Sequence, residues 1–139
     1  MPDCAKIRDN GLVCMACTIY WETRGEPVKG QYAVGMVTIN RTRNDEFPPT
    51  ICENVWKRTV KHGRIYPQYS WTVKPSKVTD PVAWTIAAWI AQDIIQHEKA
   101  GKPLHDPTHG ALYFHSRKSR PGWQQVSYIA RIGDHLFYK

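Results

Sequence analysis

Apolar residues recur at three- and four-residue intervals in several stretches, which is the pattern of helices buried on one side. The first stretch runs from Gly11 to Arg24, where Gly25 is suited to end a helix. A second begins at Pro27, which suits a first helical position, and runs to about Arg43. The pattern therefore predicts two consecutive helices joined at Gly25.

A short third helix is predicted after a polar turn. Thr50 and Glu53 have the spacing of a capping box, and we expect the helix to reach about Val60. Residues 61–79 are rich in Gly, Pro, Tyr, Gln and Ser around Trp71, which favours irregular or short extended structure. A loop of this length in a compact domain is usually functional.

The longest helix is predicted to open at Asp80 and Pro81, a cap and first-turn pair, and to run to about Lys99. We expect Trp84 and Trp89 to pack in the core rather than to serve as ligand platforms, because long buried helices use large apolar residues for packing. The residues expected to face inward are Val82, Ile86, Trp89, Ile90 and Ile94.

The sequence of the C-terminal part is typical of loops and short strands or helices. Residues 116–122 indicate an exposed basic loop, and residues 126–139 indicate a turn flanked by short strands or helices that pack back on the body. The chain as a whole predicts a mainly α fold, α+β with minor β, as a single domain over residues 1–139. We expect the first ten or so residues, 1–10, to form an N-terminal extension.

Length and charge narrow the class of protein. A chain of 139 residues can bury one compact core without a staple. Its 19 Lys and Arg against 12 Asp and Glu give a net charge of +7, which favours an anionic partner such as nucleic acid, a membrane surface or an acidic cell wall polymer. The basic residues are scattered, without a basic helix or a nucleic-acid-binding signature, so nucleic acid is not expected.

The N-terminus carries charges where a signal peptide needs its apolar region. The longest uncharged apolar stretch, residues 81–92, is too short to cross a bilayer. We expect a chain made in the cytoplasm without a signal peptide and without stable membrane insertion.

The cysteines and histidines raise the question of a metal or redox site. The cysteines favour free buried thiols, with metal and redox roles for the single C-x-x-C left open. The histidine spacings of four and six match no standard metal site, so neither a metal nor a cofactor is predicted. The residues concerned are Cys4, Cys14, Cys17, Cys52, His105, His109 and His115.

Glu22 is the candidate for acid chemistry. It follows Tyr20 and Trp21 at the end of the first predicted helix, and a carboxyl group beside aromatic rings tends to be desolvated. Desolvation raises the pKa, as a general acid requires near neutrality. Glu26 is the nearest second carboxylate in sequence, but Gly25 leaves their relative geometry open. Glycoside cleavage needs one acid, then a second carboxylate, an activated water or a group of the sugar itself.

Polar and aromatic residues suited to a sugar-binding groove cluster in two places. They are Gln68, Tyr69, Ser70, Trp71, Tyr113, Phe114 and His115. A Cys–His peptidase pair is disfavoured, because Cys14 and Cys17 lie on an apolar helix rather than at a helix N-terminus that would lower a thiol pKa.

Taken together, these pieces resemble the SleB-type cell wall hydrolase domain from about Val13 to Tyr138. The family is named for a spore-cortex-lytic enzyme that acts as a lytic transglycosylase on peptidoglycan. The motifs that carry the resemblance are Ile19-Tyr-Trp-Glu-Thr-Arg-Gly-Glu-Pro27, Gly30-Gln-Tyr-Ala-Val34, Asn40-Arg-Thr-Arg43, Phe47-Pro-Pro-Thr50, Gln68-Tyr-Ser-Trp71, Tyr113-Phe-His115 and Ile132-Gly-Asp-His-Leu-Phe-Tyr138.

The resemblance implies a lysozyme-like fold, similar to the catalytic domain of resuscitation-promoting factors, and a catalytic role for Glu22. It implies cleft positions for Gln68, Ser70, Tyr113 and His115. With the groove candidate Trp71 and the possible partner Glu26, the predicted substrate-binding residues are Glu26, Gln68, Ser70, Trp71, Tyr113 and His115.

The expected function is a peptidoglycan glycosidase, lytic transglycosylase or muramidase, that cleaves the glycan of N-acetylmuramic acid and N-acetylglucosamine with one catalytic Glu. A basic catalytic domain without a signal peptide or a wall-binding domain looks like a phage endolysin, released through a holin-type lesion, or a virion-associated lysin. We expect a monomer. The alternative is a non-catalytic peptidoglycan-binding module of a phage particle.

Overall fold

Two consecutive helices form the N-terminal part of the computed structural model, which describes all 139 residues. Helix α1 spans Gly11–Thr23 and is capped by Asn10, whose side-chain oxygen accepts the Val13 N–H at 3.1 Å. Helix α2 spans Val28–Thr42. Gly25 lies between them with a φ of 85°, a left-handed conformation that glycine adopts readily. The two helices therefore separate at the predicted residue.

Helix α3 is short, at Ile51–Val55. Thr50 caps the helix as predicted, because its hydroxyl accepts from the Glu53 N–H at 3.2 Å. The Glu53 carboxylate accepts from the Thr50 hydroxyl at 2.8 Å, not from the Thr50 N–H as in a full capping box. The predicted end near Val60 is wrong, since the chain leaves the helix at residue 56 and enters a strand.

A β-hairpin follows, with strand β1 at Arg58–Lys61 antiparallel to strand β2 at Arg64–Pro67. The turn residues His62 and Gly63 both have positive φ, as a tight two-residue hairpin requires. Almost every residue of both strands is exposed, so the hairpin has no buried face and leaves no hydrophobic period in the sequence. A single turn of 3-10 helix at Ser70–Val73 then leads back to the body.

Helix α4 spans Pro81–Lys99 as predicted, and Asp80 caps it by accepting the N–H of Ala83 at 3.0 Å. Trp84 is partly buried and packs edge-to-face on Tyr20, with ring centroids 6.1 Å apart. None of the helices, α4 included, is long and apolar enough to cross a membrane.

The predicted inward face of α4 is wrong in part. Ile90 and Ile94 are buried, but Val82 is 70% exposed, Trp89 is 62% exposed and Ile86 is also exposed. The helix turns a side with small residues inward, which lets it pack closely on α1. Because α4 is apolar on more than one side, its periodicity did not identify the buried side.

The C-terminal part forms a three-stranded antiparallel sheet in the order β3–β5–β4. The strands span Tyr113–Ser116, Tyr128–Ile132 and His135–Tyr138 for β3, β4 and β5. Gly133 turns the chain between β4 and β5 with a φ of 58°, and a Cβ atom there would lie 2.7 Å from a Glu26 carboxylate oxygen. The turn and short strands predicted for residues 126–139 are confirmed, and the mainly α fold with minor β is as expected.

The core is one cluster of 25 buried apolar residues from both parts of the chain. All four cysteines belong to it, but the expectation of free thiols is wrong: Cys4 is bonded to Cys17, and Cys14 is bonded to Cys52. That expectation rested on the presumed compartment, whereas the pairing depends on which sulfur atoms the fold brings together. Cys14 and Cys17 lie one turn apart on α1 and face different segments, so they do not pair with each other.

Candidate active site

A cleft of about 400 Å³ lies between α1, the residues just before the 3-10 helix, and the sheet with the loop after β3. Glu22 is the only acidic residue of its lining. Glu22 reaches the cleft because it stands in the last turn of α1, beside the break at Gly25. The lining residues are Trp21, Glu22, Gln68, Tyr69, Phe114, His115, Ser116, Ser119, Pro121, Trp123 and His135.

Burial raises the pKa of Glu22 from its ordinary 4.5 to about 7. The cause is desolvation, because a low-dielectric surrounding disfavours the charged carboxylate. A substantial fraction of Glu22 is therefore protonated at neutral pH, and the group can both give and take a proton. The raised pKa that the aromatic neighbours suggested is present in the structure.

The raised pKa makes the contribution of Glu22 to stability depend on pH. Below pH 4.5 the folded and unfolded states are both protonated and there is no penalty. Between pH 4.5 and about 7 the Glu22 carboxyl group ionises in the unfolded state but stays largely protonated in the folded state. The free energy of unfolding therefore falls as the pH rises, and the loss is complete above the folded pKa. We therefore expect Glu22→Gln to stabilise the protein by roughly 1–3 kcal/mol at about pH 8 and by little at about pH 4. Urea unfolding of both proteins at the two pH values measures this, and an equal difference at both would contradict it.

Tyr69 forms the inner wall beside Glu22. Burial raises the pKa of the Tyr69 hydroxyl, Arg41 opposes this shift and the nearby Glu22 adds to it. Arg41 is 3% exposed, and its guanidinium donates to the Tyr69 hydroxyl at 3.4 Å and to the Leu112 carbonyl at 2.8 Å. Arg41 therefore holds the phenol in a fixed position beneath the cleft.

His115 and Trp123 form the opposite wall. His115 Nδ1 lies 2.7 Å from the Ser116 carbonyl oxygen, which can only accept, so this nitrogen carries the proton in the neutral ring. His115 Nε2 then accepts from the Tyr138 hydroxyl at 2.9 Å. Hydrogen bonds to both ring nitrogens hold the His115 ring in place. The Trp123 ring packs against it, with ring centroids 5.4 Å apart.

Glu26 does not line this cleft. Its carboxylate oxygen Oε1 accepts from the Asp134 N–H at 2.7 Å and from His135 Nδ1 at 3.2 Å, and it thereby holds the turn between β4 and β5. Glu26 borders a separate cavity and contacts the cleft only through His135. Glu26 therefore stabilises the sheet and positions the imidazole of His135.

We expect Glu26→Ala to destabilise the fold by about 1–3 kcal/mol, because the Asp134 N–H and the His135 ring both lose their acceptor. The exposed Glu46, whose side chain makes no hydrogen bond, supplies the control Glu46→Ala. That control should change stability by less than about 0.5 kcal/mol. Thermal unfolding compares the two, and equal losses would show that the contacts of Glu26 contribute nothing.

The other predicted binding residues fall into two groups. Gln68 and His115 line the cleft with Glu22, and Tyr113 packs on the lining residue Trp123 at 5.5 Å. Ser70 is exposed at the start of the 3-10 helix, outside the lining, and Trp71 is 2% exposed in the core. The structure brings the first group to the cleft and leaves Ser70 and Trp71 outside it.

Sequence reasoning left several lining residues out of its predicted site, among them Trp123 and His135. Trp123 directly follows the predicted basic loop, and a large aromatic residue at that place was the available signal. His135 appeared only within a motif of the resemblance and carries no signal of its own. No group of three His, Cys, Asp or Glu side chains in the structure could hold a metal ion.

The fold is that of a cell wall hydrolase domain. A family model described as Cell Wall Hydrolase matches residues 25–138, which is most of the chain. The chain belongs to the cell wall hydrolase family, and the resemblance seen in its motifs is confirmed.

Curated relatives named spore cortex-lytic enzyme match most of this chain. The one from Oceanobacillus iheyensis is 30% identical over 136 residues, covering 94% of this chain and 42% of the relative. The one from Bacillus subtilis (strain 168) is 27% identical over 136 residues, covering 93% of this chain and 37% of the relative. The chain thus spans less than half the length of these relatives.

Solved structures extend the likeness to the fold. The catalytic domain of the germination-specific lytic transglycosylase SleB from Bacillus anthracis superposes with a TM-score of 0.68 at 25% identity, covering 100% of both chains. The catalytic domain of the Bacillus cereus SleB protein gives a TM-score of 0.63 at 24% identity, covering 93% of this chain and 89% of the other. The predicted fold, mainly α with minor β and lysozyme-like, is confirmed by this agreement.

Proposed function

We propose that this protein is a peptidoglycan glycosidase that cleaves the glycan of N-acetylmuramic acid and N-acetylglucosamine with Glu22 as its single catalytic carboxyl group. The observation that carries the proposal is the isolation of Glu22. It is the only acidic residue of the cleft, and burial raises its pKa to about 7. A lone acid with this pKa suits proton transfer to a leaving oxygen at neutral pH.

The absence of a second carboxylate from the cleft lining favours transglycosylation over a two-carboxylate mechanism. Protonated Glu22 gives its proton to the glycosidic oxygen as the bond from that oxygen to the anomeric carbon breaks. The Glu22 carboxylate then takes the proton of the sugar's own C6 hydroxyl, whose oxygen bonds to the anomeric carbon. The product is a 1,6-anhydro sugar and no water is consumed. The SleB relative from Bacillus anthracis is named a lytic transglycosylase, which is the same class of reaction.

The cleft walls suit a polysaccharide. Trp21 and Trp123 offer flat apolar faces for pyranose rings, and Gln68, Ser116 and Ser119 offer hydrogen-bonding groups at their rims. These residues and His115 form the proposed substrate site, and Glu26 supports the site from outside the cleft through His135.

Mass spectrometry of digested sacculi tests the proposal. We expect soluble fragments that end in 1,6-anhydro-N-acetylmuramic acid. Ends with reducing N-acetylmuramic acid instead would make the enzyme a muramidase, with water in place of the C6 hydroxyl. If the protein sediments with sacculi but releases no soluble fragments, it is a binding module and the glycosidase proposal fails.

We further propose that the enzyme serves bacteriolysis as a phage endolysin, acting as a monomer. The net charge of +7 supports attraction to an anionic wall, which is where an endolysin must act. Co-expression with a holin in a host cell should cause lysis that neither protein causes alone. Failure to lyse under these conditions would contradict the endolysin role and leave the glycosidase chemistry standing.

A further inference from the structure

A second cavity of about 380 Å³ adjoins the active-site cleft and is bordered by the hairpin of β1 and β2. We call it the hairpin cavity. It shares Gln68 and Trp123 with the cleft that holds Glu22, so the two form one continuous groove. The lining residues are Thr59, Lys61, Tyr66, Pro67, Gln68 and Trp123. A polymer cleaved at Glu22 could extend along this groove.

The register of the hairpin puts two cations on the side of this cavity. Thr59 pairs with Tyr66, and Lys61 pairs with Arg64. Residues directly opposite each other in an antiparallel pair project to the same face, and alternate residues of a strand share a face. Thr59, Lys61 and Tyr66 all line the cavity, so Arg64 projects to that face as well.

The charged residues in and around the hairpin are all cations. Between Glu53 and Asp80 the sequence contains no acidic residue and six cations. Lys61 and Arg64 are exposed and make no ion pair or side-chain hydrogen bond. Unpaired cations beside a groove attract anionic groups and leave them free to bind.

The cavity also offers aromatic faces next to these cations. Tyr66 and Trp123 both line the cavity, and their side chains are accessible to a ligand, with exposed fractions of 48% and 39%. The hairpin lacks a buried face, so packing in the core does not explain its large side chains. Flat apolar faces beside cations match a sugar ring that carries an anionic substituent.

We propose that the hairpin cavity binds a peptide-bearing muramyl residue of the strand being cleaved, with Lys61 and Arg64 pairing with carboxylates of its stem peptide. This rests on the proposed glycosidase function. The continuity of the groove supports the stem peptide as the source of the anion, because a carboxylate attached to the same glycan strand is carried to the hairpin when the strand enters the cleft. The lactyl group is not a free carboxylate in intact peptidoglycan, since it is joined to the peptide by an amide bond.

The test compares kcat/KM on glycan strands with stem peptides intact and on strands stripped by an amidase, with products separated by chromatography. We expect the wild-type protein to favour intact strands by about five- to tenfold at low ionic strength, as two exposed charge pairs allow. The preference should shrink as salt is added.

The double variant Lys61→Gln/Arg64→Gln should lose this preference, with its ratio falling to near one. The control Lys74→Gln/Lys77→Gln removes the same charge from exposed positions of the same acid-free segment that line neither cavity. It should keep the preference. A loss in the control as large as in the hairpin variant would reduce the effect to net charge and overturn the proposal.

Three further outcomes of the wild-type comparison also test the proposal. If the wild-type protein cleaves both substrates with equal efficiency, the subsite proposal fails and the glycosidase function stands. If it prefers the stripped strands, whose lactyl carboxylates are free, the stem-peptide assignment is overturned. If it cleaves neither, the proposed function itself fails and the subsite proposal with it. Circular dichroism of the hairpin variant verifies that any loss does not come from unfolding.

Discussion

Cleavage of peptidoglycan is expected to fall by a factor of about 10²–10⁴ or more when Glu22 is replaced by Gln. The amide has nearly the shape of the carboxyl group but cannot transfer a proton to the leaving oxygen. Because no other acidic residue lines the cleft, no neighbour can take over the role. Turbidity clearing of a wall suspension measures the loss, and product analysis confirms it.

Two controls separate loss of chemistry from loss of structure. Glu46→Gln makes the same chemical change at an exposed position that lines neither of the two cavities of the groove, so it should keep full activity. The Glu22→Gln protein should remain folded and still sediment with sacculi, since its cleft walls are unchanged. Clearing activity in this variant equal to that of Glu46→Gln would end the assignment of Glu22.

The second large effect concerns the two disulfides. The Cys4–Cys17 bond closes a loop of 13 residues and the Cys14–Cys52 bond closes one of 38. By the loop-closure argument these bonds stabilise the fold by about 3 and about 4 kcal/mol. The loops overlap at residues 14–17, so the two effects are not expected to add. We expect Cys14→Ala/Cys52→Ala to lose more stability than Cys4→Ala/Cys17→Ala.

Urea unfolding of the two double variants gives both values, and each variant retains the other disulfide. All four cysteines are buried, so both variants also lose packing and differ chiefly in the loop that is opened. Addition of a thiol reductant to the wild-type protein should lower its melting temperature by more than either double substitution. Unchanged melting under reduction would show that the bonds do not constrain the chain in solution.

The helices were predictable because their signals are local. The Asp80 cap, the Thr50 cap and the glycine at residue 25 act on residues within a few positions, and all three appear in the structure as expected. The raised pKa of Glu22 was also expected from a local signal, since Tyr20 and Trp21 precede it directly.

The errors arose where a local pattern admits several packings. Helix α4 is apolar on more than one side, so the sequence did not show that Trp89 faces solvent while Ile90 faces the core. The hairpin at residues 58–67 buries almost nothing, so it has no hydrophobic period to detect.

The sequence by itself determined the mainly helical fold, the family and the candidate acid. Only the tertiary structure decided what surrounds that acid. His115, Trp123 and His135 reach the cleft because β3 and β5 pair across an intervening strand and loop, and Glu26 leaves it because its carboxylate binds the turn at Asp134. The disulfide pairing was decided in the same way. These are contacts between residues far apart in the chain, set by how the elements pack, whereas capping and helical periodicity depend on residues only a few positions apart.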